Sequence, residues 1–387
     1  MTRVLPLLVA TITALAQGQP PSATPPNNGA PIPRAGRGGP APIVSPEVLP
    51  DRRVVFRLRA SRATDVALTG DFGQKQSVTE KLTRDADGVW SVTLGPLTPD
   101  IYSYSFNIDG VTVSDPANGW GFPGVRSSSL SAFRVPGEEE RFLELQPGPH
   151  GEVRIVYFNS ESVGKIRRMR IFFPPVYETG KARFPVLYLL HGASEDDEAW
   201  TALGMANIVM DNLIAQGKAK PMIVVMPSYQ GLAPGASPAR VQDNYPIFAA
   251  SFAKDILPFV EKTYRVIAKP EARAFGGLSP PDIVPDTIIP VLDKFGYWLC
   301  TSNGLRAARM DYYDKQFPGV LNNPANTKRV KLLMADGSNA MTFTESQYMA
   351  GEFRRRGYDV TYYQTEGWHC WRWFRRYLNE LAPKLFR

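Results

Sequence analysis

The chain has only two cysteines and three histidines in 387 residues. Cys300 and Cys370 are too few for a disulfide scaffold or a cysteine-rich zinc site. His150, His191 and His369 are too dispersed for a metal cluster, so neither metal nor cofactor is expected. No apolar run beyond the N-terminus reaches the roughly 18 residues needed to span a bilayer, and no membrane role is expected. The net charge is +7, but no Lys/Arg tract is interleaved with aromatics, which argues against a nucleic-acid partner.

The composition changes along the chain. Residues 1–16 place one Arg before a short apolar run that ends in Ala14-Leu15-Ala16, the pattern of a cleavable signal peptide, so export to the periplasm or medium is expected. Residues 17–50 are rich in Pro, Gly and Ala and read as a linker. Residues 51–140 alternate with period two: Val54, Phe56, Leu58; Val66, Leu68; Trp90, Val92, Leu94; Tyr102, Tyr104, Phe106. That period, broken by turn signals, predicts a small all-β sandwich whose core includes Trp90, Tyr102, Tyr104 and Phe106. Residues 150–387 instead carry unbroken apolar runs, VLYLL and MIVVM, separated by the helical stretch ANIVMDNLIAQG. Strand, helix and strand in that order predict an α/β domain with a parallel sheet covered on both faces.

The chemistry concentrates at RAFGG followed by Gly277-Leu278-Ser279, with His369 the only histidine downstream. Strand, serine turn and late histidine follow the chain order of an α/β-hydrolase. Together with RRMRIFFPP, LYLLHGASEDDEAW, KPMIVVMP, FAKDILPFVEKTYRV, LDKF and RRYLNELAPKLFR, this order makes the region from Gly151 to Arg387 similar to the esterase D/feruloyl esterase family of carbohydrate esterases. Residues 52–137 resemble the immunoglobulin-like, carbohydrate-binding-module-like domain often placed before it. The resemblance implies a serine carboxylic-ester hydrolase acting on acylated plant polysaccharide, with no particular oligomeric state. Ser279 falls on the nucleophile and His369 on the base that takes its proton. The amide of Ala193 or Ser194 falls on one oxyanion-hole donor, with His191 orienting that loop.

Three departures from the family pattern meet at this site. Pro280 follows the serine and has no N–H, which removes a donor whose loss costs about 2.7–4 kcal/mol of transition-state stabilisation in related chemistry. Pro281 replaces a small residue, and Pro285 and Pro290 predict a broken or shortened helix after the turn. The family's acid belongs to a Gly-Thr-x-Asp-like turn, where this chain has Gly337-Ser338-Asn339-Ala340. Asp336 or Glu345 is left as a substitute; turn formation and helix-start roles compete for them.

Aromatics supply the second theme. Trp120 and Phe122 lie in a turn-rich segment suited to sugar stacking or to loop anchoring, and Trp368 and Trp371 flank His369 as candidate cleft walls. Cys300 and Cys370 fall near one edge of the sheet, where a bridge and two buried thiols are both open and thiols are favoured. Two functional readings stand side by side. One is an exported serine esterase with an altered active site; the other is a catalytically inactive relative that binds carbohydrate or acts as a scaffold.

Overall fold

A computed structural model of the chain describes residues 41–387 except 75, 122–129, 194, 233–241 and 280–281. The expected signal peptide, most of the expected linker, Phe122, Ser194, Pro280 and Pro281 therefore lie outside the described residues.

The first domain is a pair of antiparallel sheets. Strands β1 (Glu47–Val48), β2 (Val54–Arg59), β6 (Val89–Leu94) and β5 (Thr83–Arg84) form one sheet. The other runs β4 (Val78–Lys81), β3 (Val66–Gly70), β7 (Asp100–Ile108) and β8 (Val111–Val113), with β9 (Ser131–Val135) also paired to β7. The inward face holds Val54, Phe56, Leu68, Trp90, Tyr102, Tyr104, Phe106 and Phe133, so the period-two aromatics are core. The sandwich starts earlier than residue 51. Residues 47–48 pair with β2, and Ser45 donates to the buried Asp115 at 2.6 Å, a contact 70 residues apart that outweighs the linker-like composition.

The second domain is an eight-stranded sheet. Its order is β10 (Glu152–Ser160), β11 (Lys165–Phe173), β13 (Ile223–Pro227), β12 (Val186–Leu190), β14 (Arg273–Leu278), β15 (Tyr297–Thr301), β16 (Lys331–Gly337) and β17 (Asp359–Thr365). The first two strands are antiparallel to their neighbours, and the rest are parallel. Every residue of β12, β13, β14 and β15 is buried, as unbroken apolar runs covered on both faces must be. The chain leaves β12 towards one side of the sheet and β14 towards the other, so a crevice opens between their carboxyl ends. Crevices at such switch points are where open α/β sheets bind ligands.

The helix after β14 is short, as its prolines require. It spans Ile283–Ile288 and continues as a 3-10 turn, Ile289–Lys294, with Val291 out of helical geometry. Pro290 sits where the α-helix ends. Pro285 costs less than an interior proline because it is the third helical residue, whose amide has no intrahelical acceptor in any case.

The two domains are locked by an ion cluster. Asp100, at the start of β7 and fully buried, accepts from Arg375 Nη2 at 2.8 Å and Arg376 Nη2 at 2.9 Å. Both arginines lie on the helix Trp371–Leu381, directly after His369. Arg375 is itself fully buried and donates also to the Leu203 carbonyl at 2.8 Å.

Candidate active site

The Ser279 turn depends on two glycines in β14. A Cβ at Gly276 would lie 2.2 Å from the Leu299 carbonyl oxygen, and one at Gly277 2.6 Å from that of Leu190. Only glycine lets β14 sit this close to both neighbours. Ser279 emerges half-buried at the end of the strand, at the switch-point crevice.

The loop after β12 forms the facing wall. His191 is buried, stacked on Tyr229 at 4.3 Å, and its Nδ1–H donates to the Gly192 carbonyl at 2.8 Å. That leaves Nε2 to accept from Ser228 Oγ at 3.2 Å. Burial pulls its pKa down to about 4, so the ring is neutral and saturated, a loop-orienting residue rather than a base. Gln230 Nε2 donates to the Ala193 carbonyl at 2.7 Å and fixes that peptide. The Gly192 N–H is already bound, at 2.8 Å, to Glu195 Oε2. Of the expected oxyanion donors, Ala193 is the one the structure describes.

Glu195 was not singled out from the sequence. Its Oε1 accepts from Trp371 Nε1 at 2.8 Å, so one carboxylate ties the loop after β12 to the segment that carries His369. A Cβ at Gly192 would lie 2.9 Å from Glu195 Oε2 and 3.1 Å from the Ser279 carbonyl oxygen, so the loop after β12 runs close against the serine turn, and Trp371 adds the histidine segment. Within Glu195-Asp196-Asp197-Glu198 nothing local distinguishes this residue from a solvated acidic run. Desolvation raises its pKa to about 7 from 4.5. The folded protein thus binds a proton more readily than the unfolded chain, and stability falls as pH rises from about 4.5 to about 7. Asp71, raised by burial to about 6, contributes in the same direction. Glu195→Gln is expected to remove the part of that fall lying between about pH 4.5 and pH 7 in urea titrations across this range. An identical pH slope in the variant would refute the assignment.

His369 lies in the turn after β17, with Phe374 edge-on to its ring at 5.0 Å. Its Nδ1 is buried and has no hydrogen-bond partner among the described residues. Burial lowers its pKa, opposed in part by the charge of Asp336, so the imidazole is neutral near pH 7. Asp336 does not orient it. The carboxylate is fully buried and accepts from Ser302 Oγ at 2.7 Å, Gly337 N at 2.8 Å, Thr342 Oγ1 at 2.8 Å and Ser346 Oγ at 2.6 Å. Four donors consume its acceptor capacity, so Asp336 braces the end of β16. Glu345, the other substitute, pairs with Arg306 at 3.1 Å instead.

The turn that should hold the acid is laced to the histidine segment through its backbone. Ser338 N donates to Thr365 O at 2.8 Å, Asn339 N to Gly367 O at 3.0 Å and Asn339 Nδ2 to Glu366 O at 2.6 Å. The Gly337–Ala340 turn, which offers no carboxylate, is thus fixed against the segment that leads to His369.

The tryptophans are anchored. Trp120 packs against a core cluster that joins sandwich residues such as Ile101 and Ala132 to the second domain, and Trp371 meets Trp200 edge-on at 5.2 Å while its indole N–H is spent on Glu195. Trp368 Nε1 donates to the Gly73 carbonyl at 3.3 Å, so the sandwich's β3–β4 loop touches the histidine segment. Cys300 and Cys370 are free, buried thiols; burial pushes Cys370 up to about 12 and Cys300 further. Among the described residues no group of three or more His, Cys, Asp or Glu could hold a metal ion.

Known proteins resemble both halves. The Esterase family model matches residues 160–280, and the model for carbohydrate-binding module 48, the isoamylase N-terminal domain, matches residues 44–118. A protein named "Endo-1,4-beta-xylanase/feruloyl esterase" from Xylanibacter ruminicola is 30% identical over 346 residues, 86% of this chain and 44% of that protein. "Endo-1,4-beta-xylanase Y" of Acetivibrio thermocellus is 28% identical over 177 residues, 41% of this chain and 15% of that one. The chain spans less than half the length of these curated relatives. Among solved structures, the enterobactin esterase FES of Shigella flexneri superposes with a TM-score of 0.67 at 15% identity, over 86% of this chain and 93% of that one. A ferulic acid esterase superposes at 0.52 and 21% identity, over 62% of this chain and all of that one. The chain thus carries an esterase-family α/β domain behind a carbohydrate-binding module 48 domain, and along most of its length it is similar to a xylanase/feruloyl esterase.

Proposed function

We propose that this chain is an exported ester hydrolase acting on acyl esters of plant polysaccharide, feruloyl or acetyl esters above all. The observation that carries this reading is the placement of Ser279 at the switch-point crevice, beside the loop of Ala193 and tied through Gly192, Glu195 and Trp371 to the segment of a neutral His369. Ser279 Oγ attacks the acyl carbonyl and His369 takes its proton. The developing oxyanion meets the amide of Ala193, and the alcohol leaves with the proton from His369. Water, activated by the same imidazole, then releases the acid and regenerates the serine.

One observation favours the second reading, a carbohydrate-binding relative without turnover: among the described residues, Nδ1 of His369 has no hydrogen-bond partner. An imidazole with no orienting acceptor is free to take the wrong tautomer. The distinguishing experiment is hydrolysis of methyl ferulate and aryl acetate by the protein and by Ser279→Ala. With the base already unoriented, losses are not additive, and the substitution is expected to lower kcat only about tenfold to a hundredfold. Equal rates in the two proteins would leave the binding reading.

A further inference from the structure

A cavity of about 400 Å³ lies between the helices Tyr245–Ser251, Ile283–Ile288 and Ala307–Gln316, and among its lining residues Asp282 is the nearest in sequence to Ser279. Its size is that of a small-molecule site. Asp282 and Asp286, one helical turn apart, line one wall; Arg309 and Tyr312 line another. Arg309 holds both carboxylates by one oxygen each, Asp282 Oδ1 at 3.0 Å and Asp286 Oδ1 at 2.6 Å, and Tyr313 Oη donates to the same Asp286 oxygen at 2.6 Å. Among the described residues, Oδ2 of each aspartate accepts no hydrogen bond. The Arg309 guanidinium also lies over the Tyr312 ring at 4.5 Å, which fixes an aromatic side chain that is 43% exposed.

Two fixed carboxylate oxygens beside a restrained aromatic ring suit a ligand with adjacent hydroxyls and an apolar C–H face. The charge balance, two carboxylates to one guanidinium, disfavours phosphate or carboxylate ligands. We propose that this cavity is a subsite for a neutral pyranose or furanose residue, the sugar side of an ester whose acyl carbon is presented to Ser279. Asp282, three residues from the serine, places the subsite next to the reacting end of the substrate. Assigning this sugar to the ester substrate rests on the esterase reading above; sugar binding in the cavity does not.

Calorimetric titration of the full chain with xylopentaose tests the subsite. Tyr312→Ala removes the ring, and Asp282→Asn keeps the volume while changing one acceptor; each is expected to weaken binding about tenfold. On a feruloylated xylo-oligosaccharide, Tyr312→Ala is expected to raise KM roughly tenfold more than on methyl ferulate. Binding lost in these variants without Ser279-dependent hydrolysis would keep the subsite and remove the esterase reading. Ser279-dependent hydrolysis with xylopentaose bound equally by both folded variants, or not bound by the parent chain, would overturn the subsite and leave the esterase reading intact.

Discussion

Ala340→Asp is expected to raise Ser279-dependent ester hydrolysis by about a hundredfold. Ala340 takes the acid's place in the Gly-Ser-Asn-Ala turn, and the backbone that would aim a carboxylate is already formed. Ser338 and Asn339 are bonded to Thr365 and Gly367, just before His369, and Ala340 N closes the turn on Gly337 O at 2.9 Å. A carboxylate here is expected to supply the acceptor that His369 Nδ1 lacks among the described residues. Loss of correct orientation costs up to about 10⁴ in well-studied triads. Recovery should be smaller because Pro280 still withholds an oxyanion donor and defects in one catalytic unit do not add. The same change should raise the His369 pKa, since a neighbouring carboxylate favours the imidazolium, and shift the acid limb of the pH–rate profile upward. Ala340 is buried, so a stability cost of about 1–3 kcal/mol is expected where the new carboxyl is incompletely paired. The gain must vanish in the Ala340→Asp/Ser279→Ala double variant. A folded Ala340→Asp protein with unchanged kcat would show that the missing acid is not what limits the site.

The sheet was legible because its signals are local. VLYLL and MIVVM became the buried strands β12 and β13, and the RAFGG run became β14, ending beside Ser279. The alternating Tyr102, Tyr104 and Phe106 became sandwich core. Proline rules read the helix after Ser279 correctly as short, although Pro285 falls in the first turn, where a proline is tolerated. What stayed hidden depends on partners distant in the chain. Asp336 stands at the expected strand end, yet Ser302, Thr342 and Ser346 claim its oxygens, and no pattern near Asp336 announces that. Glu195 gains its role from Trp371, 176 residues away. Ser45 is held to the sandwich by partners 12 and 70 residues away, Arg57 and Asp115.

Asp100→Ala is expected to destabilise the folded chain by about 3–5 kcal/mol. The contact joins β7 to the last helix across 275 residues, and both Asp100 and Arg375 are wholly shielded from water. Truncating the aspartate leaves a buried guanidinium with only the carbonyls of Leu203 and Ile101 as acceptors. An uncompensated buried charge carries a penalty of that size, whereas an exposed pair such as Lys81 with Asp65 is worth about 1 kcal/mol or less. Arg372 and Arg376 also lose their partner, and Arg372 leans on Tyr102 with its guanidinium 5.0 Å from the ring, so the loosened contact reaches both domains. Urea unfolding should therefore show a lower midpoint and, where the domains uncouple, a second transition. Replacing the pair together, Asp100→Leu with Arg375→Met, should recover much of the loss, because a buried ion pair exchanged for apolar packing is often close to neutral. The double-variant cycle reads the coupling directly. A loss below about 1 kcal/mol in Asp100→Ala would mean that water reaches Arg375 and that the domains are held by their apolar contact alone.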